Sequence, residues 1–225
     1  MNQKQHIYFM PGLAADKAIF DYIKLPEDKF EMHFLEWKIP DSKKQSLESY
    51  VQNLVKEIEH KNAVLVGVSF GGIIVQEMKK YYKANRVIII SSVKHEKELP
   101  SRLKMVKKTK AYKLTPISIL TNIEHFAKYA FGKFAKQRAE LYKKYLSVRD
   151  KTYLQWAIYN VLHWKQTQDY SEVIHIHGDK DVIFPIENIK DCIVIKNGTH
   201  VMILNKAKKI SQILQEVLIF DKKSR

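Results

Sequence analysis

Apolar positions along this 225-residue chain fall into two alternating rhythms. One is short and continuous. Ile7-Tyr8-Phe9-Met10, Met32-His33-Phe34-Leu35-Glu36-Trp37, Ala63-Val64-Leu65-Val66, Val87-Ile88-Ile89-Ile90, Val173–Ile176 and Cys192–Ile195 have the length and β-branched content of strands. The other has helical spacing. Leu47, Val51, Leu54, Val55 and Ile58 recur three or four residues apart behind Ser46, predicting a helix to about Glu59. Ile73, Ile74, Val75, Met78, Tyr81 and Tyr82 predict another, a short helical segment is expected around Lys17–Tyr22, and a last helix spans about Lys206–Phe220. Strand and helix in strict alternation predict an α/β fold: an open, mostly parallel sheet of about six strands covered on both faces.

The rhythm breaks between about 94 and 168. That stretch has no convincing strand, several amphipathic helical patterns and many aromatics, among them Tyr112, Phe126, Tyr129, Phe131, Phe134, Tyr142 and Tyr145. A structureless loop of that length would be implausible in a compact domain. The expected organisation is therefore a core from 1–93, a helical cap or lid insertion at 94–168, and the rest of the core from 169–225. Tyr153–Leu162 places Leu154, Ala157, Ile158, Val161 and Leu162 on one helix face, which either packs on the core or, with Trp156 and Tyr159, lines a pocket for an apolar group.

Charge is concentrated in the same stretch. The formal net charge is +15, and residues 94–151 carry sixteen Lys/Arg against five Asp/Glu. A basic segment of this kind suits nucleic acid, an anionic surface or an acidic protein, or is simply a solvated face. The aromatic-basic interleaving there is the argument for a nucleic-acid-binding module, but no recognised binding motif accompanies it. No apolar run reaches the length of a membrane span, and the first residues do not form a signal peptide. Cys192 is the only cysteine, which excludes an internal disulfide, suits a reducing cytoplasm and reads as a buried structural thiol beside Ile193.

The most specific chemistry follows the third strand. Gly67-Val68-Ser69-Phe70-Gly71, extended by Gly72, stands where a strand turns abruptly into a helix. A residue at such a turn is forced into strained backbone geometry and projects from the sheet edge. Ser69 is thus a candidate nucleophile with a helix N-terminus behind it. A nucleophilic serine also needs a base, an orienting acid and an oxyanion site. Strand five ends in His177-Gly178-Asp179-Lys180-Asp181, and strand six is followed by Asn197-Gly198-Thr199-His200, so a carboxylate and a histidine fall on the sheet edge where open α/β folds build their sites. Of seven glycines, six lie in these loops: Gly12, Gly67, Gly71, Gly72, Gly178 and Gly198.

With these residues in place, the sequence resembles the α/β-hydrolase superfamily over nearly its whole length outside the insert. The resemblance rests on Gly67–Gly72, on Gly178-Asp179-Lys180-Asp181 with Pro185, and on Gly198-Thr199-His200. It implies the α/β-hydrolase fold lacking its first two strands, and acyl transfer by Ser69, His200 and Asp181, the acid role going to Asp181 with Asp179 as the fallback. It also implies oxyanion donors at the backbone N–H groups of Phe70 and, in the Met10-Pro11-Gly12-Leu13 loop, of Leu13. The expected activity is that of a serine hydrolase on a small-molecule carboxylic ester or thioester, without cofactor or metal; an acidic carrier protein presenting a thioester would suit the basic insert. Three alternatives stay open. His175 and His177 share one strand face and could be a metal pair, though no further ligands are suitably spaced. A hydrolase scaffold used only for binding and the nucleic-acid module are the other two.

Overall fold

The computed structural model describes residues 4–110, 112, 145–168 and 170–219. Six strands form one sheet: β1 (Gln5–Met10), β2 (Phe30–Phe34), β3 (Val64–Val68), β4 (Arg86–Ile90), β5 (Ile174–Gly178) and β6 (Ile193–Ile195). Their spatial order is β2-β1-β3-β4-β5-β6, and every neighbouring pair is parallel. The order reverses between β1 and β3, so the crevice at their carboxyl ends is the switch point where such sheets place ligands.

Burial explains the strand composition. All five residues of β3 are buried, as are Val87 through Ile90 of β4, because helices cover both faces of a parallel sheet. Helix α1 (Leu47–Val55) starts where the Ser46 hydroxyl accepts the Ser49 N–H, and buries Tyr50, Val51 and Leu54. Helix α2 (Phe70–Met78) is buried at all nine positions, since it lies between the sheet and its helical neighbours. Helix α3 (Ser101–Thr109) buries none of its residues. Helix α4 (Lys151–His163) is capped by the Asp150 carboxylate accepting the Tyr153 N–H. A short α5 (Met202–Asn205) precedes α6 (Ala207–Ile219), whose Ile210, Ile213, Leu214 and Leu218 face the core. No helix among the described residues is long and apolar enough to cross a membrane.

Three expectations shift. The second strand ends at Phe34 instead of Trp37: Leu35 N–H turns to the Phe9 carbonyl, and Trp37 Nε1 donates to Gly12 O at 3.0 Å. Both side chains are still buried, so their apolarity serves a connection and not a strand. The segment at Lys17–Phe20 is a single 3-10 turn. Cys192 is half-buried instead of enclosed, with burial raising its thiol pKa.

Of the described residues in 94–168, α4 and Trp164 join the core. Trp156 is fully buried against Tyr50 and Phe70, with ring centroids 4.2 and 5.8 Å away, and Trp164 Nε1 donates to the Glu77 carboxylate. Phe126, Tyr129, Phe131, Phe134 and Tyr142 lie outside the described residues, as do Gly132 and the C-terminal tail from Phe220.

Candidate active site

Ser69 adopts φ 53° and ψ −119°, a conformation that L-residues with a side chain rarely take. The surrounding backbone over-determines it. Ser69 N–H donates to Ile90 O of β4 at 2.9 Å, Gly72 N–H donates to Ser69 O at 2.9 Å, and the Ser92 hydroxyl donates to the same Ser69 carbonyl at 2.7 Å. A β-carbon on Gly71 would overlap the carbonyl oxygens of Met10 and Pro11, so only glycine lets α2 begin against the β1 loop.

His200 and Asp181 meet Ser69 at this edge. His200 Nε2 lies 2.9 Å from Ser69 Oγ, and His200 Nδ1 lies 2.8 Å from Asp181 Oδ2. Asp181 Oδ1 accepts the Ile183 and Phe184 N–H groups at 2.8 and 2.9 Å, so both carboxylate oxygens are used. Gly178 and Gly198 bring the two loops together: a β-carbon on Gly178 would overlap the Gly198 backbone. Phe184 packs edge-on to the His200 ring at 5.4 Å. His200 pairs with Asp181 and not with the fallback, Asp179.

Electrostatics follow from this burial. Enclosure alone would raise the Asp181 pKa, but the His200 charge and hydrogen bond, with the Phe184 amide and His177, hold its carboxyl below the ordinary carboxylate value. His177 Nε2 bonds to Phe184 O at 2.8 Å while its Nδ1 takes His175 Nε2 at 3.0 Å. The two histidines therefore bond to each other and to backbone in the core. Burial lowers both pKa values. Among the described residues no third histidine, cysteine or carboxylate groups with this pair at ligand distance, and the His177 bond to Phe184 O braces the Asp181 loop.

A mostly apolar cavity opens beside Ser69 and His200, lined by Gly12, Leu13, Ala15, Ile19, Leu146, Ile203 and their neighbours. Trp156 and Tyr159 are not among its lining residues. Trp156 is core, and Tyr159 faces solvent with its ring stacked on His163. Leu13 lines the cavity. Phe70 opens α2 with its ring stacked on Trp37 at 5.2 Å. Gly12 sits close to Ser69, its β-carbon position 3.4 Å from Ser69 Cβ.

The β1 loop is also clamped from the insert side. The Tyr153 hydroxyl accepts the Ala14 N–H at 3.3 Å, and Val148 N–H donates to Ala14 O at 3.0 Å, around an Ala14 whose φ is 64°. Sequence reasoning missed Tyr153, Tyr145, Leu146 and Ser92 at this site. Only the paired serines closing β4 offered a signal.

Solved structures with this architecture align over nearly the whole chain. One, from a study of carboxylesterases of Nitrososphaera gargenis, is 18% identical, covers 99% of this chain and 93% of its own, and superposes with a TM-score of 0.69. A thermophilic esterase from Thermogutta terrifontis is 15% identical over 96% of this chain and 90% of its own, TM-score 0.68. A hydrolase from Pseudomonas aeruginosa PA01 is 13% identical over 97% and 91%, TM-score 0.72. The chain has the α/β-hydrolase fold. No family model matches the sequence, and no curated protein matches it either. Within the α/β-hydrolase fold, the six strands of the described residues make a reduced sheet.

Proposed function

We propose that the protein hydrolyses small carboxylic esters or thioesters through an acyl-enzyme on Ser69. The observation that carries this reading is the continuous chain of short contacts from Ser69 Oγ to His200 to Asp181, with Ser69 on a strained strand-to-helix turn. His200 Nε2 takes the Ser69 proton as Oγ attacks the carbonyl carbon, and Asp181 fixes the tautomer and stabilises the imidazolium that forms. The developing oxyanion faces the Phe70 and Leu13 N–H groups, which need no reorganisation to receive it. His200 then protonates the leaving alkoxide or thiolate. Water attacks the acyl-enzyme with His200 as base, returning the serine.

The apolar lining by Leu13, Ala15, Ile19, Leu146 and Ile203 suits an aliphatic or aromatic acyl group. Leu146 comes from the segment read as an insert, which supports a lid role for 94–168. The esterases of matching fold supply the analogy for ester substrates. Thioesters presented by an acidic carrier are the finer reading that the basic insert suits, and their turnover should fall with added salt. A cytoplasmic location fits a chain with one cysteine.

The test is labelling by a fluorophosphonate probe followed by an ester panel of graded acyl length. The wild type is expected to label and Ser69→Ala not to label. Labelling that persists in Ser69→Ala overturns the assignment, and an unlabelled wild type favours a scaffold used only for binding.

A further inference from the structure

Parallel pairing of β1 and β2 sets His6 beside Glu31 and Tyr8 beside His33. Side chains alternate along a strand, so all four project from one face of the sheet. The turn that follows α1 lays His60 over them. His6 Nδ1 and His33 Nε2 are 3.1 Å apart, the His6 and His60 rings stack with centroids 3.5 Å apart, and the His33 and His60 centroids are 4.9 Å apart. One ring nitrogen from each of the three lies within 4.8 Å of the others, the only such group among the described residues. All three histidines are half-buried. Glu31 reaches in from the rim, with one oxygen 3.6 Å from His6 Nδ1 and the other 3.8 Å from His33 Nε2.

We propose that His6, His33 and His60 form a zinc site, with the Glu31 carboxylate swinging in from the rim as fourth ligand, that staples the edge strand β2 to β1 and to the α1–β3 turn. Tetrahedral zinc with Zn–N bonds of 2.0–2.1 Å spaces its ligand atoms about 3.3 Å apart, close to the His6–His33 separation. Imidazole nitrogen and carboxylate oxygen are the donors that borderline divalent ions select. A second layer is also built. Tyr8 OH lies 2.8 Å from His60 Nδ1 and accepts the Glu59 N–H at 3.1 Å. With Nδ1–H donating to the Tyr8 oxygen, His60 presents the lone pair of Nε2 to the ion, the arrangement that orients metal-bound histidines. Binding exchanges the His6–His60 ring stack for shared coordination.

The site belongs to the structure and not to the ester chemistry. His6 lies near the amino end of β1, six residues before Gly12, so roughly 15–20 Å of strand separates it from Ser69. A four-ligand set leaves no open position for substrate, as in closed structural sites. Its ligands come from three segments of the chain, so the ion would link parts that otherwise meet only through the sheet edge, and binding would favour the folded state.

The test uses the full chain stripped with a chelator, then titrated with Zn²⁺ against a chromophoric competitor and, separately, with Co²⁺. Expected are one Zn²⁺ per chain with Kd of about 1 μM or tighter, a visible Co²⁺ band of tetrahedral intensity, and a Tm raised by about 5–10 °C at ~100 Kd of zinc. His33→Gln and His60→Gln should each weaken binding at least ~10-fold and remove the Co²⁺ band. Glu31→Gln, an exposed substitution that leaves folding intact, should weaken it ~10-fold, and Tyr8→Phe by a similar factor. Ser69→Ala should bind zinc as the wild type does, which separates this site from the hydrolytic one. No saturable binding by the wild type, an octahedral Co²⁺ spectrum, or histidine variants that bind as tightly as the wild type would each overturn the proposal.

Discussion

His200 Nε2 sits 2.9 Å from Ser69 Oγ across 131 residues of chain. Neither residue reaches the other by local structure. Ser69 is raised by a turn whose strain is held by Ile90 and Ser92, while His200 is carried by the loop after β6 and braced by Asp181. Each contact in this chain can be removed separately.

Ser69→Ala should reduce ester turnover by about 10⁴-fold or more, down to the rate that binding and the oxyanion donors alone supply. His200→Gln should do the same, and the double variant should be no worse than either single one. Steady-state rates on an activated ester check this; additive losses would mean that the two do not act as a unit.

Asp181→Asn and Asp181→Ala should part company. Asparagine can still accept the Ile183 and Phe184 N–H groups through its oxygen, so Tm should change little while kcat falls by roughly 10⁴-fold from the wrong His200 tautomer. Alanine leaves those two amides without their acceptor and should lower stability as well, by about 1–3 kcal/mol. Thermal melts beside kinetics distinguish the two.

Gly71→Ala should displace the β1 loop, because the added carbon meets the Met10 and Pro11 carbonyls and backbone cannot yield as a side-chain tip can. A cost of about 1–3 kcal/mol is expected, with activity reduced beyond what stability explains, since the same loop carries Leu13. Denaturant melts and kcat on the folded fraction measure both.

Stability should fall on acidification before Asp181 titrates. The folded chain holds His175 well below its ordinary 6.5, through burial and then the His177 and Lys94 charges. Below pH 6.5 the unfolded chain therefore binds more protons than the folded one. The folded state keeps its full advantage above 6.5 and loses it as pH drops toward the lowered value. His177 and His33 are shifted in the same direction. Asp181, lowered from 3.8, adds stability above that value which disappears only as pH falls through its own lower pKa. Denaturant titrations from pH 8 to about pH 5 should slope downward below 6.5. His175→Gln, which keeps a donor for His177, should flatten that slope.

Pocket and core should separate by substitution. Trp156→Ala removes a fully buried ring and should cost about 3–5 kcal/mol without changing the preferred acyl length. Leu204→Trp, at the cavity wall, should spare short esters and slow longer ones by at least ~10-fold. An unchanged chain-length profile in Leu204→Trp would remove this cavity from the acyl site.

Local pattern alone located the six strands, the helices α1, α2, α4 and α6 and the strained position of Ser69, because strand burial, capping and turn sterics act between residues close in the chain. The chemical types of Asp181 and His200 and their place at strand ends were equally legible. Tertiary structure decided what depends on register and packing. Whether Trp156 meets a pocket or the α1–α2 layer turns on how α4 lies against the core, and its own spacing carries no such information. That Tyr153 clamps Ala14, or that His6, His33 and His60 meet on one face, follows from the pairing of β1 with β2 and the path of the chain after α1. Those contacts join residues far apart in sequence, and only the assembled sheet brings them within bonding distance.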